Sequence, residues 1–337
     1  MMKKALLALA VAGAAVSAQA DVSISGHVNY SAGDLSDFNG NEGLDVQNNG
    51  ASGSRFRIVA SKEANGITYA TRQELGVNGA DAPSGRVSDM TIAGDFGKFY
   101  LGHGWESGED ATENDFSGTY VLTGSAYDAW DLGDNINNVD GGRDQRLRYD
   151  SPKLGGVVTI KADIDTNDNL GLAVFAGGSN WKAAVYTETK GDTGTTAATA
   201  TDAQTDEVGG SFALKVAGFT AAIQMGKKDG QQAIAATATT DAVTAANEQD
   251  YRGVILGYRS GKFSVAFDVA NYEETPVTGG AATVDNDTKG LSFVYRPTGG
   301  VELYAGLRTA DANVVGATPF NTQNDADGFL VGGRIKF

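Results

Sequence analysis

Along most of this chain, apolar and polar residues take turns. Val22, Ile24, Val28 and Tyr30 fall on one parity, and Ser23, Ser25, His27 and Asn29 on the other. Strict period-two alternation is the mark of a strand whose two faces meet different media. The pattern returns at 54–61, where Phe56, Ile58 and Ala60 oppose Arg55 and Arg57, and at 67–75, where Arg72 and Glu74 share the polar face. It continues through 87–93, 98–103, 144–152, 157–165, 170–176, 181–188, 208–216, 219–225, 251–258 and 263–272, and through the apolar rows ending at Tyr295, Leu307 and Phe337. Counting gives about sixteen strands. Their connections alternate between short Gly-containing turns and long polar stretches, among them Ala/Thr-rich tracts at 191–205 and 231–247 read as loops.

Short turns at one end and long loops at the other, with strands near ten residues, predict an all-β fold: a transmembrane antiparallel β-barrel with short periplasmic turns and long external loops. A soluble sandwich would also alternate. Two features oppose it: the apolar faces are too thin to fill so wide a barrel, and Arg, Lys, Asp and Glu sit in mid-strand, which suits a water-filled lumen. Closure also removes every sheet edge, as hydrocarbon demands.

Residues 1–20, MMKKALLALAVAGAAVSAQA, change the picture by adding a route. Two lysines, an apolar run and Ala18-Gln19-Ala20 before Asp21 predict a secretory signal peptide, too short and Ala-rich for a spanning helix. The domain reading is therefore a signal at 1–20 and a single barrel at 21–337. No Cys is present, which excludes disulfides and thiolate metal sites. Without the two signal lysines, 24 basic residues stand against 42 acidic ones, a net charge of −18. That excludes a nucleic-acid partner, which wants clustered positive charge.

One stretch breaks the rhythm. Residues 104–142 carry Glu106, Glu109, Asp110, Glu113, Asp115, Asp128, Asp131, Asp134 and Asp140 with no Lys or Arg. A connection this long inside a compact protein is far above the usual ~4–6 residues and is functional or disordered. Trp105, Phe116, Tyr120, Val121, Leu122, Tyr127, Trp130 and Leu132 are too many apolar anchors for a free segment. An ordered acidic loop, the third long one, folded into the lumen is expected.

Gly53-Ser54-Arg55-Phe56, Gly94-Asp95-Phe96-Gly97 followed by Leu101-Gly102, Arg148-Tyr149-Asp150-Ser151-Pro152 and the terminal Phe337 together resemble the general porins of Gram-negative outer membranes, in the sixteen-stranded trimeric proteobacterial group. The resemblance spans the mature chain. It implies outer-membrane localisation, a homotrimer set among lipid and lipopolysaccharide, and an inward third loop forming a constriction. It also implies passive diffusion of small hydrophilic solutes and ions, and recognition of Phe337 and its strand by the barrel-assembly machinery. One departure is His103, where these porins often have Arg, which implies a weaker basic side to the eyelet.

By parity, Arg55, Arg57, Arg72, Lys98, Arg146 and Arg148 face the lumen as a basic wall, and Lys161 joins them. Glu106, Glu109, Asp110, Glu113, Asp115, Asp128 and Asp131 of the loop are expected opposite. Opposed charges across an opening sort ions and orient dipolar solutes. The loop acids favour cations and the wall arginines oppose them. Glu106, Glu109, Asp110 and Glu113 also offer hard oxygen ligands of the kind Ca²⁺ takes, without EF-hand spacing; no other cofactor is expected. A hydrolase reading has only His27 and His103 to work with and no G-x-S-x-G element. Tyr30, Tyr272 and Phe337 at strand ends fit membrane girdles, equally in an adhesin or a channel. A solute-specific channel would want aromatics along the lumen, whereas the lumen-parity positions are mostly Ser, Thr, Ala and charged.

Overall fold

A computed structural model describes residues 21–36, 43–77, 82–124, 142–189, 205–234, 243–276, 284–314 and 325–337. The strands are β1 (Asp21–Asp34), β2 (Leu44–Asn48), β3 (Arg55–Ala64), β4 (Ile67–Gly76), β5 (Ser84–Gly94), β6 (Gly97–Trp105), β7 (Arg143–Asp150), β8 (Val158–Asp165) and β9 (Leu170–Gly177). They continue as β10 (Trp181–Thr189), β11 (Thr205–Val216), β12 (Phe219–Ile234), β13 (Val243–Ser260), β14 (Phe263–Pro276), β15 (Val284–Tyr295), β16 (Val301–Val314) and β17 (Asp325–Lys336). Each pairs antiparallel with its neighbour, and β1 closes the ring on β17. Sixteen strands make the barrel. The extra one, β2, pairs with the outer half of β1, beyond the point where β3 stops. It thereby covers an edge that the sequence pattern assigns to a loop.

Two turns show how local chemistry sets the hairpins. Asn65-Gly66 (φ 53° and 76°) and Ala217-Gly218 (φ 49° and 87°) both place two successive residues in the left-handed region. This is the turn whose twist matches that of flanking strands. The second Ala/Thr-rich tract is shorter than its composition implies: β12 runs on to Ile234 and β13 begins at Val243. Backbone pairing of Gln231–Ile234 with Val243–Ala246 extends the hairpin there without any apolar alternation.

The parity rule is visible in two adjacent rungs. Leu256, Phe267, Leu291, Leu307 and Phe329 stand side by side on β13–β17, each about half exposed. One position along, Ile255, Asp268, Gly290, Arg308 and Gly328 line the inside. Arg308 and Asp268 form a fully buried ion pair at 2.7 Å, and a Cβ at Gly290 would fall 2.7 Å from the Asp268 carboxylate. Apolar outside and charged inside is the arrangement of a barrel in lipid. At the short-turn end Phe96, Phe99 and Tyr149, then Phe219 and Tyr258, then Phe263, Phe293 and Tyr295 cluster outward as an aromatic belt. Tyr272 does not belong to it. It is buried on the inner face, because it has the parity of Asp268 and Ala270, opposite to the outward row of Phe263, Val265 and Phe267.

Candidate functional site: the constriction

The third long loop leaves β6 at Trp105, whose ring lies between the guanidiniums of Arg86 (5.9 Å) and Arg143 (4.5 Å). Its neck is tied where the Glu106 amide donates to the Gly142 carbonyl (3.1 Å). From there the described part, 106–124, runs along the inner wall. The Ser107 amide donates to Asp163 of β8 (2.5 Å), at a rung where Gly171 of β9 leaves room for it. Gly108 packs against the Tyr186 ring of β10. Ser211 of β11 accepts from the Asn114 amide (3.3 Å) and donates to the Ala111 carbonyl (2.5 Å).

Further on, the ring of Phe116 receives Lys182 and Lys215 at 4.9 and 5.0 Å. Arg296, beyond β15, donates to the Gly118 carbonyl and to Ser264 (2.9 Å). The last described turn is the helix α1 (Tyr120–Thr123). Asn49 donates to the Val121 carbonyl (3.1 Å). Val121 and Leu122 are buried with Leu35, Ala51, Tyr251, Tyr272, Tyr304 and Leu330. The inner wall is thus less uniformly hydrophilic than its parity suggests: it holds an apolar seat where the loop needs one.

The loop therefore sweeps from β8 round to β16 and leaves the wall of β3–β7 facing the opening. On that wall the arginines are held by carboxylates of their own face. Glu74 takes Arg55 (3.6 Å), Arg57 and Arg86 (3.1 Å) at once. Arg72 pairs with Asp89, and Arg146 with Asp163 (2.5 Å) and Asp165 (3.9 Å). Arg148 pairs with Asp150 (2.7 Å) and reaches the loop, at Glu109 (3.7 Å) and at the Glu106 carbonyl (2.9 Å). Lys98 stands next to the short turn, at the periplasmic end of β6. His103 stands outward with Leu101, opposite Ser88 and Gln145, so the expected weakening of the eyelet does not come from it.

The loop acids part company. Glu106 turns into the wall and joins Glu188 and Glu207, three buried carboxylates whose oxygens lie within 4.8 Å of one another. Glu109 faces Arg148. Its carboxyl is pushed up to about 8 by burial and then by the Asp110 charge, against the pull of Arg148, Lys161 and Arg72. Asp110 is exposed at φ 67°, and Glu113 accepts from the Tyr120 hydroxyl (2.8 Å). Asp115 caps Ser117 within the loop. Asp128 and Asp131 lie outside the described residues. Glu106, Glu109, Asp110 and Glu113 thus point to different places, and among the described residues the oxygen cluster is the one with Glu188 and Glu207. Sequence reasoning left out Arg86, Arg143, Glu188 and Glu207. The parity of Glu188 with Tyr186 was the available signal, but the spacing of Glu207 gave none.

A sequence profile of the family described as Gram-negative porin matches residues 5–314. No curated protein matches the chain in sequence. Among solved structures, the chain is similar to an anion-selective porin from Comamonas acidovorans (TM-score 0.69, 15% identity, covering 95% of this chain and 100% of that one). It is also similar to the trimer form of OmpT, an outer membrane protein of Vibrio cholerae (0.67, 15%, 94% and 99%). The outer membrane channel DcaP of Acinetobacter baumannii gives 0.66 at 12% identity, covering 94% and 97%. These likenesses concern the fold.

Proposed function

The chain belongs to the Gram-negative porin family, an outer-membrane channel for the diffusion of solutes, and from that premise we propose how its pore is narrowed. The loop 104–142 is the constriction. Its described part, 106–124, faces the arginine wall of β3–β7, and small hydrophilic solutes and ions pass between the two. The observation that carries this is the chain of ties from Ser107 to Val121, which fastens the loop inside the barrel against β8, β11, β15 and the β1–β3 connection. Across the opening, Arg55, Arg57 and Arg86 share one carboxylate, leaving that side positive toward the loop, where Asp110 and Glu113 stand. A field across the gap orients dipolar solutes and slows apolar ones.

The family and fold are in general non-enzymatic, and the pore reading needs no bond chemistry. The protein works as a homotrimer among lipid and lipopolysaccharide, is exported through removal of residues 1–20, and is assembled through the strand ending at Phe337. Structural Ca²⁺, if bound, would sit on Glu106 with Glu188 and Glu207 rather than on four loop acids. The test is single-channel conductance in planar bilayers, with reversal potentials in a salt gradient. Ohmic steps that grow when the loop is released support the constriction. Steps unchanged by loop release would remove 104–142 from the eyelet.

A further inference from the structure

Three residues of the wall depart from strand parity, and they gather at one place. Between Glu74 and Leu75 the β4–β5 register shifts, so that Glu74 stands opposite Val87 and Leu75 opposite Gly85. Arg86 is the residue left over. Regular pairing would give it the parity of Ser88 and Met90, and Met90 is exposed on the lipid side. The bulge instead turns it inward, where its Nε donates to Glu74 (3.1 Å). Bulges re-aim single side chains in this way and are over-represented beside active sites.

Trp105 and Arg143 are the other two. They stand opposite each other where the β6–β7 pair ends, with the parity of the outward Leu101 and Leu147. Yet Trp105 lines the same small cavity as Arg72, Arg146 and Arg148, which places its ring inside the barrel. Arg143 lies over that ring at 4.5 Å and Arg86 at 5.9 Å.

The charges here do not balance. Arg55, Arg57 and Arg86 have one carboxylate, Glu74, between them. Arg143 is half-buried and makes no ion pair or hydrogen bond among the described residues; the indole face is what holds it. Stacking occupies the flat of a guanidinium and leaves its N–H edge open. Such an edge fits the paired oxygens of a carboxylate or phosphate, which a single chloride does not offer. From the loop, Asp110 and Glu113 push an anion toward this side of the gap.

We infer that Arg86 and Arg143, held by Glu74 and Trp105, bind the carboxylate or phosphate group of a small solute, so that small oxyanions are a favoured class of cargo. This rests on the pore reading above and names solutes that the pore selects.

The experiment is single-channel current in symmetric KCl at about 0.1 M, where charge is screened over about 10 Å, with potassium succinate or potassium phosphate added to both sides. A bound oxyanion occupies the path, so the current should fall along a saturating curve at millimolar additions. Arg86→Gln with Arg143→Gln should raise the half-blocking concentration about tenfold, a change of about 1.4 kcal/mol. Arg143→Lys keeps the charge and loses the fork; it should raise that concentration several-fold and leave the current in KCl alone unchanged. Glu74→Gln should lower it, because a competing carboxylate is gone. Lys153→Gln, in the short turn after β7, should not move it.

Saturating block by either anion supports the site, and the lower half-block tells which oxyanion it prefers. No saturating block by either, or a half-block unmoved by Arg143→Lys and by the double substitution, would overturn the inference. No conductance at all from the unaltered protein would instead overturn the pore.

Discussion

Two halves of one wall obey the same parity and do different work. On β3–β7 the inner residues are arginines tied sideways to carboxylates of neighbouring strands, and their outer edges are left toward the opening. On β8–β17 the inner positions include glycines, Ser211, and the tyrosines 186, 251, 272 and 304, and what they hold is the loop. The difference is one of reach. A guanidinium bridged to its neighbour still projects charge into water. A glycine or a buried ring gives the loop backbone a place to lie against and gives the solute nothing. The charge left facing the loop across the opening thus belongs to one half and the loop's seat to the other.

The largest expected effect comes from breaking the geometric half. Leu122→Ala empties a fully buried position under α1 and should weaken loop docking by about 2–5 kcal/mol. Single-channel recordings should then show larger and noisier steps, with selectivity little changed. If steps keep their size, the apolar seat does not hold the constriction. Next comes the electrostatic half. Glu74→Gln strips three arginines of a shared, buried counter-charge. Because those arginines are partly exposed, the stability cost should be modest, about 1–2 kcal/mol after solvent screening. The reversal potential should move toward anions without a change in loop docking.

A smaller effect tests where the halves meet. Gly171→Ala places a methyl against Asp163 and Ser107. It should displace the loop's neck and reduce conductance, read as a smaller step in the same bilayer assay.

The smallest is a titration. Glu109 has its carboxyl raised from 4.5 to about 8, so the folded loop binds a proton that the free chain would release near 4.5. The contribution of that proton to docking is full below pH ~4.5 and is lost as pH rises through about 8. Charge appears at the eyelet over the same upper range, so cation preference should rise between about pH 7 and 9. Glu109→Gln should flatten that rise. A profile in the variant identical to the parent's would assign the titration to another group.

Neutralising all four of Glu106, Glu109, Asp110 and Glu113 should shift selectivity toward anions through Asp110 and Glu113, with Glu109 adding its share only as pH rises through about 8. Glu106 is turned into the wall, buried beside Glu188 and Glu207.

Alternation alone determined the closed sheet, its sixteen crossing strands, and which side of each strand meets lipid, because a strand has only two faces and lipid tolerates only one kind of residue on its own. The acid content and the apolar anchors of 104–142 likewise singled out the stretch whose described part, 106–124, lies along the inner wall. Register and loop path were decided only in three dimensions. Nothing in the spacing of Glu74 from Arg86, or of Glu106 from Glu188 and Glu207, brings them together. Their contact depends on which residues stand opposite across a strand pair and on where the loop comes to rest. The pairing of β2 with β1 follows from the same cause, whereas the outward turn of His103 and the inward turn of Tyr272 follow from their parity with Leu101 and against Phe267. Local pattern fixes which way a side chain points along a strand, while the neighbours it meets there are set by the closure of the whole barrel.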